Sequence, residues 1–412
     1  MAARKAKNLG PVFHRNGKGE LIQAFYPNGK VSQRKDYFTP HLSRPQALVL
    51  ARSCGLTAVT SFLAPLLSQR LREWYYDAKD KRGHNRLTLE VETCFLPLLR
   101  WIIAWWQGSQ LALALDSTAL GDRFVVLALS VVYRGCAIPV AWTVLAANQK
   151  HPWQPEWLRL LSLLKPAIPS QMTVIVLADR GLYAPWLFRR IRRLGWHPFL
   201  RVKAGGTFRP EGKARFYPLS TFAPKPGSSF CGYGTAFATP ESRLQCTLLA
   251  RWELDQEEPW FILTDLPPEA GDACWYGMRA WIEQGFKIIK RGGWQWHRTR
   301  MTDPSRAKRL WLAMAVATLW LLSVGGEADE RIPESTFLDL TQVLAQKKGK
   351  RLATRPRLVS VFRRGWVCIL VALLNHDPLP LGRFLPEPWP VVLETIDAMP
   401  VEWQRVSQNA SP

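Results

Sequence analysis

The chain has 412 residues, 47% of them hydrophobic, which is enough for a sizeable core and two to three domains. Lys and Arg exceed Asp and Glu by 23; this excess argues against an enzyme of neutral metabolites and for a polyanionic partner, with DNA and RNA both open on charge alone. Seven scattered cysteines without a Cys-x-x-Cys pair argue against a disulfide framework or zinc finger and for a reducing cytosol.

Residues 1–40 are polar and basic, an irregular arm with no apolar signal core. Segments 43–51 and 58–67 have helical spacing around Cys54-Gly55-Leu56-Thr57, with Ser43 and Thr57 as N-cap candidates. The pair reads either as a helix-turn-helix or as a plain helical hairpin. The loop 79–86, rich in Lys and Arg, reads as a solvated connector. Residues 1–105 together form a basic arm and helical DNA-binding region.

Residues 111–116, 123–133 and 136–145 read as three strands joined at Gly121-Asp122 and Arg134-Gly135, two turn pairs suited to hairpins. Helical spacing follows over 157–164, a fourth strand over 173–179, an arginine-studded helix over 185–194 and a fifth strand over 198–203. Three antiparallel strands followed by alternating helix and strand predict an α/β fold, a mixed sheet flanked by helices. Asp116 and Asp179 stand where two apolar runs end, at the edge where open α/β sheets place ligands.

Between residues 203 and 260 glycine, proline, serine and aromatics dominate, and runs at 244–252 and 260–264 suggest strands of a small β-rich insertion. It accounts for a step of 104 residues from Asp179 to Glu283 against 63 from Asp116 to Asp179. Over 275–291 the spacing Tyr276-x2-Arg279-x3-Glu283-x6-Lys290 puts all four on one helical face within roughly 60°, beside an apolar stripe of Met278, Ile282, Phe286 and Ile289. A lone Glu between Arg and Lys is ordinarily a surface ion pair, and a lone Asp at a strand end a turn cap. Their joint occurrence in strand-strand-helix order is what points to metal-assisted chemistry on phosphate. Asp122, Asp265 and Asp303 read as turn residues or caps. The apolar run 310–324 is shorter than the roughly 20 residues of a membrane span and reads as a buried helix. Residues 327–412 suggest a helical extension.

At these residues the chain resembles the insertion-sequence DDE transposases, in particular the insertion-sequence-four family with its Tyr-Arg-Glu-Lys signature. Leu115-Asp116-Ser117-Thr118, Ala178-Asp179-Arg180-Gly181 and the Tyr276, Arg279, Glu283, Lys290 set carry the resemblance. It implies an RNase H-like sheet with catalytic parts at 106–203 and 269–326, an insertion at 204–268, and a C-terminal region at 327–412 for synapsis or dimerisation. It also implies a homodimer on paired DNA ends, Mg2+-dependent cleavage at terminal inverted repeats with transfer into target DNA, a hairpin intermediate, and a tryptophan that stacks on a flipped base. The string Pro259-Trp260-Phe261-Ile262-Leu263-Thr264 makes Trp260 the candidate, against ordinary core packing.

Two divalent ions about 4 Å apart can stabilise the attacking and leaving oxygens of a phosphodiester. The expected ligands are Asp116, shared by both ions, and Asp179 and Glu283, one at each. All-oxygen donors favour Mg2+, with Mn2+ as a substitute. Arg279, Lys290, Arg298 and Arg300 are expected on DNA phosphates, with Tyr276 adding a hydroxyl. A non-transposing nuclease and a catalytically silent DNA-binding regulator are the competing readings. The expected setting is the bacterial cytoplasm, at the nucleoid, with no membrane partner.

Overall fold

The computed structural model describes residues 13–15, 21–23, 76–81, 88–148, 152–254, 256–331, 357 and 359–390. The helix pair expected at 43–67, most of the loop 79–86 and the basic cluster at 347–351 lie outside these residues. So do residues 1–12, 16–20, 24–75, 332–356 and 391–412. A short antiparallel ladder joins Phe13–Arg15 to Leu21–Gln23.

The centre of the fold is built from five strands: β1 (Gln110–Leu120), β2 (Phe124–Tyr133), β3 (Cys136–Ala146), β4 (Thr173–Ala178) and β5 (His197–Arg201). Apolar residues such as Leu111 to Leu115 and Val174 to Ala178 are buried, as expected of strands covered on both faces. β1, β2 and β3 form an antiparallel meander, and β4 and β5 add in parallel on the other side of β1. The order β3-β2-β1-β4-β5 is the RNase H-like arrangement. Both hairpin turns are where the glycines put them. Gly121 has φ +57°, and Arg134 and Gly135 have φ +45° and +79°, the left-handed pair of a two-residue turn. Pro139 lies in β3, an edge strand, opposite the register shift at Leu129/Ser130, where a missing N–H is tolerated.

The insertion supplies β6 (Thr207–Pro210), β7 (Tyr217–Pro218), β8 (Ser229–Ala236), β9 (Leu244–Arg251) and β10 (Trp260–Thr264). It continues the central sheet. β10 pairs antiparallel with β5, and β9, β8, β6 and β7 follow, so one sheet of ten strands runs through both parts.

Helices cover this sheet: α1 (Phe95–Ala104), α2 (Trp153–Leu164), α3 (Pro185–Arg193), α4 (Ala280–Lys287), α5 (Pro304–Glu330) and α6 (Val361–Asn375). α2 buries Trp157, Leu160, Leu161 and Leu164, one face at helical spacing. α5 starts at Asp303, whose carboxylate accepts the Arg306 amide, so Asp303 is the cap its position before Pro304 suggested. The helix is long and apolar enough to cross a membrane, but 89% of the apolar stretch is buried within the fold. α6 crosses it backbone to backbone. A Cβ on Gly325 would fall 2.0 Å from the Val361 carbonyl oxygen, and one on Gly365 would fall 1.9 Å from that of Leu321.

Candidate active site

The parallel register sets the first part of the site. Leu115 pairs with Ala178 and Ala178 with Leu200, the last row shared by β1, β4 and β5. The next residue on each chain is Asp116, Asp179 and Arg201, so two carboxylates and a guanidinium stand in line at the carboxyl ends of the parallel strands. One expectation needs correction here. β1 does not stop at Asp116, because its pairing with β2 continues to Leu120; what ends there is the pairing with β4. Asp116 therefore keeps strand geometry on one side and an open edge on the other. The Ser117 amide donates to its Oδ1 at 2.7 Å, and the Arg180 amide to Asp179 Oδ1 at 2.6 Å, which fixes both carboxylates.

The Tyr-Arg-Glu-Lys segment is not one regular helix over 275–291. Asp272 caps a 3₁₀ stretch at Ala273–Arg279, α4 follows, and a π turn closes it at Ile288–Gly292. In the tight 3₁₀ winding, residues three apart eclipse, so Tyr276 and Arg279 stack on the same side. The apolar stripe holds as read: Met278, Ile282, Phe286 and Ile289 are all buried. Gly285 seats α4 on β3, since a Cβ there would come 3.0 Å from the Ala137 carbonyl oxygen. In the π turn the Lys290 carbonyl lies against His297 Nδ1, which engages this histidine in the backbone.

All three carboxylates meet on Arg279. Its Nη2 lies 2.7 Å from Asp116 Oδ2 and 3.7 Å from Asp179 Oδ2, and its Nη1 lies 2.6 Å from Glu283 Oε1. Exposure rises across the set, from 17% for Asp116 through 34% for Asp179 to 51% for Glu283, so the cluster opens to solvent on the helix side. Burial lifts the Asp116 carboxyl above its ordinary range; Arg279 and the Ser117 amide oppose this, and Asp179 and Glu283 add to it. Tyr276 is buried, its hydroxyl donates to Asp179 Oδ1 at 3.5 Å, and burial followed by Asp179 pushes its pKa up. Partial burial and then Arg291 push the Lys290 ammonium down, while Asp116 pulls it the other way.

Trp260, at the start of β10, packs edge-on against Tyr276 with ring centroids 5.3 Å apart. Arg298 and Arg300 are exposed beyond the π turn, on a loop tied to the start of β2 by Arg123 donating to the Thr299 and Met301 carbonyls. No contact links these two arginines to the carboxylates among the described residues. Asp265 belongs elsewhere, paired with His197 and Arg192. Three residues at the edge were missed in the sequence. Glu258 receives Arg180 at 2.6 Å and Arg201 at 3.2 Å, tying the strand that carries Trp260 to the Asp179 edge. The strand register was the available signal for Arg201, one residue past the row that precedes Asp116 and Asp179.

A divalent ion fits the chemistry of this donor set, which is three hard carboxylate oxygens and no thiolate. The cluster holds three anions and one guanidinium, two negative charges in excess, with Lys290 at its margin. Among the described residues no three of His, Cys, Asp and Glu are drawn in closely enough to share one ion. The carboxylates are instead spread around Arg279.

Residues 129–320 match the family described as the transposase DDE domain. The match takes in Asp179 and Glu283 and begins downstream of Asp116. No curated protein sequence matches the chain. Among solved structures, piggyBac transposase in a synaptic complex with hairpin DNA superposes with a TM-score of 0.33 at 11% identity, over 65% of this chain and 53% of that one. The chain thus spans about half the length of that transposase. Human ENDOV superposes at 0.23 and 12% identity, over 54% and 94%. Both superpositions are too loose to bear on function. Residues 129–320 are thus similar to a transposase DDE domain, a family of phosphoryl-transfer nucleases.

Proposed function

We propose that this protein is an insertion-sequence transposase that cuts DNA at its element's ends and joins the freed 3′-hydroxyls to target DNA, using Asp116, Asp179 and Glu283 to hold Mg2+. The observation that carries the reading is that three carboxylates remote in sequence meet at one guanidinium, on the carboxyl edge of the sheet. Asp116, the least exposed of the three, would be shared, with Asp179 and Glu283 each completing one ion's ligands. Divalent ions held there supply positive charge to the attacking and leaving oxygens.

The remaining residues bind and orient. Arg279 neutralises the carboxylates, and its forked guanidinium also suits a phosphate. Lys290 adds a point charge beside Asp116, and exposed Arg298 and Arg300 extend a basic track for the duplex backbone. Tyr276 holds Asp179 and carries Trp260, which is the candidate to stack on a base flipped out at a hairpin end; such stacking contributes about 1–3 kcal/mol per base. In this reading two copies act on paired DNA ends, in the bacterial cytoplasm.

The test is incubation of the purified protein with a plasmid carrying the flanking element ends, with Mg2+ or EDTA, beside Asp116→Ala. Excision and joining that need Mg2+ and vanish in the variant are expected. Cleavage without joining would replace the reading with a non-transposing nuclease, and DNA binding without any Mg2+-dependent cleavage with a silent regulator.

A further inference from the structure

A cavity of about 590 Å³ lies between α4, the turn at Arg134 and the first turn of α6. Trp281, Gln284 and Lys287 line it from α4, Arg363 and Trp366 from α6, and Arg134 from the turn. Arg134 is committed to Asp329 and Glu330. Lys287 and Arg363 are exposed, and among the described residues no carboxylate pairs with either side chain. None of the lining residues is an Asp or Glu. Both tryptophans are partly buried at the cavity wall.

This combination is selective. A cavity for an apolar ligand would not keep two unneutralised cations at its rim, and a site for a simple anion has no use for two indoles. Aromatic faces with nearby cations suit a nucleobase and the phosphate beside it. The size admits one nucleotide, being within the range of small-ligand sites. The cavity shares no lining residue with the carboxylate cluster or with Trp260. It nevertheless sits on the same helix, with Gln284 next in sequence to Glu283.

We propose that this cavity binds an unpaired nucleotide of a DNA strand, its base against Trp281 and Trp366 and its phosphate on Lys287 and Arg363. The site would hold a single-stranded overhang beside the duplex that occupies the carboxylate edge. The inference rests on the transposase reading for the identity of the polymer, and its binding is measurable without catalysis.

The experiment compares binding of fluorescein-labelled duplexes, blunt or with a four-nucleotide overhang of thymidines, to the full chain in EDTA. An overhang preference of about tenfold is expected, which Trp281→Ala/Trp366→Ala abolishes and the corresponding double Phe variant retains. Lys287→Ala/Arg363→Ala, at exposed positions, should shallow the salt dependence of overhang binding by about two phosphate contacts. An overhang of 5-iododeoxyuridine should photocross-link to Trp281 or Trp366. Equal affinity for the two duplexes, an unchanged preference in both double Ala variants, or cross-links mapped only to other residues would overturn the proposal. Failure of the transposase reading appears separately, as absent Mg2+-dependent cleavage with the overhang preference intact.

Discussion

Two clusters of ion pairs in this molecule are near opposites of each other. At the carboxylate edge one guanidinium, Arg279, serves three carboxylates, and the set is open to solvent. Under the Arg134 turn one carboxylate, Asp329, serves three guanidiniums: Arg134 at 2.9 Å, Arg357 at 2.8 Å and Arg364 at 3.6 Å. Asp329 is fully buried, and Glu330 and Glu387 pair with Arg134 and Arg357 at its margin. Three cations then face three anions. This second cluster is charge-balanced about a fully buried carboxylate; it ties the β2–β3 turn, where Arg134 has φ +45°, to α5 and to the chain around α6. The first is two charges out of balance. Balance with burial marks a cluster that holds the fold, and imbalance with access marks one that takes a ligand.

The largest expected effect separates the two in activity. Asp179→Asn or Glu283→Gln should lower Mg2+-dependent cleavage by about 10²–10³-fold, as losing one transition-state stabilising group does, with the urea midpoint almost unmoved. Asp329→Asn should do the reverse. Leaving two buried guanidiniums and a partly buried third without their central anion costs about 3–5 kcal/mol of stability, while the protein that remains folded cleaves at the normal rate. An Asp329→Asn protein that is stable but inactive, or a Glu283→Gln protein that unfolds as readily, would break the distinction.

Arg279 sharpens it. As the residue that orients all three carboxylates it should matter as partners of metal ligands do, so Arg279→Gln is expected to lose about 10–100-fold in cleavage and in Mg2+ affinity measured by calorimetry. Arg279→Lys keeps the charge but not the fork, and it should recover only part of the loss. Full activity in Arg279→Gln would reduce this contact to a surface ion pair.

Much of the central fold was legible in the residues. Gly121 and Gly135 marked the hairpins, the apolar runs marked the strands, and the carboxylates at 116, 179 and 283 were named from position and spacing. What escaped notice depended on backbone geometry that side-chain periodicity does not encode. A period of 3.6 cannot distinguish a continuous helix over 275–291 from a 3₁₀ start and a π finish, because the apolar stripe is buried in either case. Nor does an apolar run announce which neighbour a strand outlasts, so β1 was expected to end at Asp116 when only its parallel partner does. The insertion was recognised by composition, but its junction with β5 is a non-local pairing between Arg201 and Ile262. The buried Asp329 cluster was invisible for the same reason, since its members come from the β2–β3 turn, the end of α5, α6 and residues 357 and 387.

The smallest effect follows from the proton on Asp116, and its sign is opposite to that of an ordinary ion-paired carboxylate. Because burial raises its pKa in the folded chain above the ordinary value of 3.8, the native state holds more protons than the unfolded state between the two values. Stability therefore falls as pH rises through that window and is flat above it. At pH 7 the ionised carboxylate is a net cost, which Asp116→Asn removes while keeping an acceptor for the Ser117 amide. In EDTA the variant should be more stable than the wild type by about 0.5–2 kcal/mol in urea, with the gain shrinking as the pH is lowered toward 3.8. Saturating Mg2+ should reverse the order, since an ion that binds only the native wild type stabilises it by mass action, and metal affinity should weaken as acid protonates Asp116. A variant less stable than the wild type in EDTA at pH 7 would mean that Arg279 already satisfies the carboxylates, and the site would then belong with the balanced cluster around Asp329.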